Sequence, residues 1–179
     1  MNCNNFSCIF VKEEYFIKNN HFVEMLDSND LEKQVRRKYI YLNFKYEENT
    51  LLVPLRSEMP NIRELGQVGY SVPSTKKPNA GLDYRKILII NDSDYLEVPQ
   101  YCKVSPSQAN IINVKYETIK KQVESYVKGY IKSAKKNRHK KDKKYNFSTL
   151  HNYHLELGII SEIQKEAAST LDKTENDDK

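Results

Sequence analysis

A chain of 179 residues, 39% of them hydrophobic and 30% charged, is long enough to bury a real core within one domain. No run nears the roughly 18 apolar residues of a membrane span. The opening Met1-Asn2-Cys3-Asn4-Asn5-Phe6 lacks the basic-then-apolar order of a secretory signal, so a cytoplasmic protein without membrane contact is expected. Cys3, Cys8 and Cys102 are odd in number and show no Cys-x-x-Cys spacing, which argues against a disulfide framework or a zinc site.

The net charge of +5 hides an uneven distribution. Residues 118–144 hold eleven Lys or Arg against Glu124 and Asp142, whereas residues 161–179 hold three Lys against six Asp or Glu. A basic face of that density is the usual footprint of a polyanion, nucleic acid foremost. The competing reading is a solvated helix face followed by a lysine-rich loop. Residues 1–160 are expected to form one domain, and 161–179 an acidic, disordered tail.

In chain order, residues 7–16 read as a first strand and its turn, and a short helix is predicted after Ser28 or Asn29, both plausible N-caps. Residues 38–46 alternate, with Tyr39, Tyr41 and Asn43 on one face and Ile40, Leu42 and Phe44 on the other, which predicts a half-buried strand. A turn over 47–50 returns the chain along 51–55 as a hairpin. Pro54 lacks a backbone donor, so its strand should lie at an edge or be close to ending. Residues 60–79 are loop-like and carry Arg63, Lys76, Lys77 and Tyr70, a possible stacking surface.

The continuous apolar run over 86–90 predicts a central strand buried on both faces. Residues 91–94 turn the chain, and Asp92 and Asp94 are explained by turn chemistry rather than a metal. A short strand over 95–98 follows. Residues 107–133 form the long helical region, with Ile119, Val123, Tyr126, Val127, Tyr130, Ile131 and Ala134 as its apolar stripe. Lys120, Lys121, Lys128, Lys132, Lys135 and Lys136 occupy the other face, and Gly129 marks a place of close packing. Residues 137–144 are a polar loop. Ser148 caps a last helix over 149–157, stopped by Gly158. His151 and His154 lie three apart there and read as half-exposed helix residues, because no third ligand lies nearby in sequence.

Antiparallel pairing of the hairpin brings Arg36, Arg37 and Lys38 opposite Arg56 and Ser57. Like charges set directly opposite are destabilising, and a bound phosphate would relieve them. The arginine fork suits phosphate oxygens. The plainer alternative is Arg56 salt-bridged at a strand end and Ser57 capping a turn. The phosphate reading requires Lys38 to be near Ser57 and Arg56 to be free of a buried carboxylate.

Four segments carry a resemblance: Val53-Pro54-Leu55-Arg56-Ser57, Gly81-Leu82-Asp83-Tyr84-Arg85-Lys86-Ile87-Leu88-Ile89, Tyr126-Val127-Lys128-Gly129-Tyr130-Ile131-Lys132 and Phe147-Ser148-Thr149-Leu150-His151-Asn152-Tyr153-His154. In this order, over roughly residues 35–160, the chain resembles the toxins of type III toxin–antitoxin systems, the ToxN, CptN and AbiQ group, with the CptN branch nearest. The resemblance implies an α+β fold, a compact twisted antiparallel β-barrel-like sheet with surrounding helices, similar to PemK/Kid toxins. It implies a metal-independent endoribonuclease that cuts single-stranded RNA to 2′,3′-cyclic phosphate and 5′-hydroxyl ends, with no cofactor. The implied partner is a small repeated pseudoknot antitoxin RNA, in ring-like assemblies.

The implied catalytic positions fall on Lys38 (or Arg37), Arg56 and Ser57. The candidate RNA contacts are Arg36, Arg37, Arg63, Lys76, Lys77, Arg85, Lys120, Lys121, Lys128 and Lys132. After Ser57 the chain departs from the family, with Glu58-Met59-Pro60 in place of a basic or His-containing continuation, so no proton-transfer group is assigned. The competing class is a non-catalytic RNA- or DNA-binding module that uses the basic helix over 118–136.

Overall fold

Alternating side chains and a tight turn make the hairpin around which the sheet is built. Strands β2 (Tyr39–Tyr46) and β3 (Asn49–Arg56) pair antiparallel, from Tyr46↔Asn49 at the turn to Tyr39↔Pro54 at the open end. The two-residue connection is closed by Glu47 at a φ of 54°, as short hairpin loops demand. The computed structural model describes residues 5–60, 68–101 and 104–159. Arg63, Cys3, Cys102 and the acidic tail lie outside those residues.

The fold is α+β. Seven strands join in one antiparallel sheet, in the order β4 (Gly69–Ser71), β5 (Gly81–Asp83), β3, β2, β1 (Ser7–Val11), β7 (Leu96–Glu97). The seventh, β6 (Leu88–Ile89), also pairs with β3. Among the described residues β4 and β7 do not pair with each other, so the sheet is open rather than closed into a barrel.

Strand β3 is central, and Pro54 is tolerated there for a local reason. One edge of β3 is shared by two short partners: β6 at Leu51↔Ile89 and Leu52↔Leu88, then β5 at Leu55↔Leu82 and Arg56↔Gly81. Val53 and Pro54 fall in the interval between these ladders, where the chain makes a 3-10 turn over Tyr84–Lys86. The missing proline donor therefore breaks no rung. The apolar run at 86–90 is buried from Ile87 to Ile90 as expected, but only two of its residues form a strand.

Other elements differ from the sequence-based expectations in detail. Tyr15 and Phe16 lie on helix α1 (Glu13–Lys18) rather than in a strand or its turn, and both are buried. Helix α2 (Leu31–Val35) is capped by Asp30, whose carboxylate accepts from Lys33 N at 3.0 Å. The loop over 60–79 contains β4 and a tight turn in which Ser74 and Lys77 exchange backbone bonds of 3.0 and 2.9 Å. The long helical region is two helices, α3 (Pro106–Val114) and α4 (Tyr116–Ala134), with Ser105 capping the first and Pro106 at its start. The last predicted helix shrinks to a 3-10 turn over Thr149–Asn152, capped by Ser148, and Gly158 reverses the chain at a φ of 60°.

Helix α4 lays Ile119, Val123, Tyr126, Val127, Tyr130 and Ala134 into the core, together with Ile40, Leu52, Leu82 and Ile87 from the sheet side. Gly129 lets the Tyr145 side chain approach: a Cβ there would stand 2.1 Å from its hydroxyl. With no tryptophan, tyrosines fill much of the interior, and their hydroxyls find partners. Tyr84 donates to Gln122 Oε1 at 2.9 Å, Tyr116 to Leu42 O at 2.7 Å, and Tyr15 meets Tyr153 at 2.8 Å.

Candidate active site and basic surface

The open end of the hairpin and the end of α2 enclose a cleft of about 390 Å³. Its lining is Asp30, Glu32, Lys33, Arg36, Arg37, Lys38, Leu55, Ser57 and Lys77. Of its five cations Lys33, Arg36 and Arg37 pair with Asp30, Glu32 and Asp27, which leaves Lys38 and Lys77 as the charges that draw an anion. The pairing that places Lys38 beside the end of β3 is direct: Leu55 N donates to Lys38 O at 2.9 Å. Lys38 and Ser57 therefore line one cleft, as the hairpin predicts.

Lys77 arrives from the other side. The Ser74–Lys77 turn carries it over Ser57, and its ammonium donates to Ser57 Oγ at 2.9 Å. Since Oγ accepts from Lys77, its own proton points elsewhere and remains available to a ligand. Among the described residues, neither Lys38 nor Lys77 belongs to an ion pair.

Arg56 does not belong to this site. Its Nη1 donates to Asp83 Oδ2 at 2.8 Å, and Asp83 is fully buried. Asp83 also receives both ends of the Arg85 fork, at 2.9 and 3.0 Å. That contact pushes the Arg85 guanidinium further up, so it stays charged and committed. Arg56 and Arg85 are thus structural cations that neutralise one buried carboxylate, and the plainer alternative for Arg56 was correct. A charge buried this deeply requires such partners.

The remaining cations divide by commitment. Arg37 pairs with Asp27 in a half-buried contact and is not free. Arg36 pairs with Glu32 at 2.7 Å with both side chains well exposed, a contact of about 0–1 kcal/mol that a phosphate can displace. Lys76 is exposed on the same turn as Lys77. On α4, Lys121, Lys128 and Lys132 are exposed, and Lys120 lies 5.1 Å over the Phe44 ring. Phe44 and Lys38 are at opposite ends of β2, about 20 Å apart at the rise of a strand. The start of the basic helix and the cleft are therefore separate surfaces.

His151 and His154 are not isolated helix residues. Both ring systems contact the Tyr130 hydroxyl at 2.8 Å, and His139 packs against them from the lysine-rich segment. Burial holds all three imidazoles below their usual range, His139 at about 4. Sequence reading missed His139 because it stands in a stretch that looks wholly solvated. The only signal was a histidine among lysines, twelve residues before His151.

Comparison with protein-family models, with curated proteins and with solved structures finds no match. No helix among the described residues is long and apolar enough to cross a membrane.

Proposed function

We propose that this chain is the endoribonuclease toxin of a type III toxin–antitoxin system, acting at the cleft of Lys38, Ser57 and Lys77. The observation that carries the reading is the Ser57 hydroxyl held by Lys77 in a cationic cleft beside Lys38. Kinship of the open antiparallel sheet with PemK/Kid toxins is part of the proposal. So is inhibition by a repeated pseudoknot RNA, for which the exposed lysines of α4 offer a second, separate basic surface.

The reaction is attack by a ribose 2′-oxygen on the adjacent phosphorus. The P–O5′ bond breaks, the 2′-hydroxyl loses a proton and the 5′-oxygen gains one, which leaves a 2′,3′-cyclic phosphate and a 5′-hydroxyl. Charge accumulates on the non-bridging oxygens in the transition state. Lys38 and Lys77 stabilise that charge, and the Ser57 hydroxyl donates to one of those oxygens. Holding the serine in place costs nothing at the moment of reaction, because Lys77 already orients it. The condition that Arg56 be free of a buried carboxylate is not met, since Asp83 holds it, so Arg56 plays no direct part and the proposal rests on Lys38, Ser57 and Lys77 alone.

Ser57→Ala and Lys38→Ala should each leave folding intact and abolish growth inhibition when the chain is expressed without its antitoxin. Retained toxicity of both variants at matched expression rejects the assignment. The non-catalytic RNA-binding alternative makes a different forecast. Charge reversal on α4 weakens RNA binding in either case, but only a nuclease makes Ser57 matter to the integrity of the RNA chain.

A further inference from the structure

Three of the four histidines in the chain converge at one point, on elements that do not contribute to the cleft. A ligand nitrogen from each of His139, His151 and His154 lies within 4.8 Å of the other two. Ring centroids stand 5.1 Å apart for His139 and His151 and 5.2 Å for His139 and His154. Zinc bound at roughly 2.0–2.1 Å in tetrahedral geometry sets imidazole nitrogens about 3.3–3.4 Å apart. Adjustments on the order of 1 Å by the half-buried His151 and His154 rings close that difference.

Proton accounting shows which ring nitrogens Tyr130 now holds and which one has no partner. His151 Nε2 lies 3.2 Å from the Asn146 carbonyl, which only accepts, so Nε2 carries the proton and Nδ1 keeps its lone pair. A ring nitrogen tied to a backbone carbonyl with its partner facing a shared centre is the arrangement metal-binding histidines adopt. Tyr130 donates its one proton to His151 Nδ1 at 2.8 Å and therefore accepts from His154 Nε2 at 2.8 Å, so a metal would displace the Tyr130 hydroxyl from both rings and His154 would move its proton to Nδ1. His139, only 7% exposed, has no partner for Nδ1. A buried polar atom left in that state calls for something that completes it. Three nitrogen donors with no thiolate or carboxylate among them suit a borderline transition metal and not magnesium or calcium.

We propose that His139, His151 and His154 bind one zinc ion, with the Tyr130 oxygen beside the fourth position. Such an ion cross-links two pieces of chain, the lysine-rich turns after α4 and the C-terminal turns after Ser148, against the side of α4 that carries Tyr130. Its binding free energy is then folding free energy for the segment that presents residues 138–144. The proposal uses no residue of the cleft and stands apart from the nuclease reading.

The test uses the full chain, stripped with a chelator, dialysed and titrated with Zn²⁺ against a chromophoric competitor. One ion per chain is expected. His139→Ala, His151→Ala and His154→Ala should each weaken binding by about 100-fold or more, a loss at least as large as that seen on removing outer partners of such sites. His21→Ala, the histidine outside the cluster, should leave it unchanged. X-ray absorption of the zinc-loaded wild-type chain reads the same shell without any variant needing to fold, with three imidazoles and no sulfur expected. Failure to take up one zinc per chain, sulfur in its shell, or an equal loss on His21→Ala overturns the site.

Discussion

Arg56 Nη1 donates to Asp83 Oδ2 over 2.8 Å, and this contact spans the junction of β3 and β5. It makes Arg56 part of the fold. Asp83→Ala strands two half-buried guanidiniums and should cost about 3–5 kcal/mol of stability in urea unfolding. Arg56→Ala leaves Asp83 with the Arg85 fork and should cost less, about 1–2 kcal/mol. An Arg56→Ala chain as stable as wild type would show that the pair does not hold the sheet together.

Lys77 makes the opposite forecast. Its contact with Ser57 is exposed, so Lys77→Ala should change stability by under about 0.5 kcal/mol. Cleavage of an end-labelled single-stranded RNA should nevertheless fall by about 100-fold, the scale of a lost transition-state donor. An unchanged rate places the chemistry elsewhere.

Gly129→Ala in an exposed helix interior would normally gain about 1 kcal/mol. Here the new Cβ meets the buried Tyr145 hydroxyl at 2.1 Å. A loss of about 1–3 kcal/mol is expected instead. In a Tyr145→Phe background, which removes the hydroxyl, part of that loss should return. Thermal unfolding of the four chains in the cycle measures it.

Burial pushes the Tyr15 phenol up to about 12, with its Tyr153 hydrogen bond working the other way. The neutral form is thus favoured in the folded chain and ionises near 10 when unfolded. Below pH 10 this contribution to stability is complete, and it is lost as pH rises from 10 through 12. A spectrophotometric titration should show a tyrosine ionising near 12 that is missing in Tyr15→Phe, and that variant should flatten the alkaline loss of stability.

Periodicity made the hairpin and the buried stripe of α4 legible, because alternation and three-four spacing report directly on which face meets the core. That Lys38 and Ser57 line one cleft followed from the hairpin alone. Arg56 was misread because its partner Asp83 lies 27 residues away on a strand whose pairing no local pattern announces. Tyr15 and Phe16 suit a strand or a helix equally by composition, and tertiary packing decided for the helix. The histidine cluster was hidden for a related reason. His139 is carried inward by turns that begin at the end of α4, inside a run of lysines that hides any apolar signal.

The forked edge of β3 divides the cleft between two separately anchored parts. Ser57 extends from the long hairpin, whereas Lys77 rides on a flap of β4, β5 and their connecting turn. That flap is held to β3 by the rungs Leu55↔Leu82 and Arg56↔Gly81, with Met59 N donating to Asn79 O at 2.9 Å beside them. Asp83 on Arg56 and Val72 O on Gln108 Nε2 keep the flap seated, so early exchange with solvent should be confined to the exposed turn over 75–79, ahead of the hairpin amides. Ser57 and Lys77 thus reach the cleft from two separately anchored pieces of chain, and their 2.9 Å contact is where those pieces join.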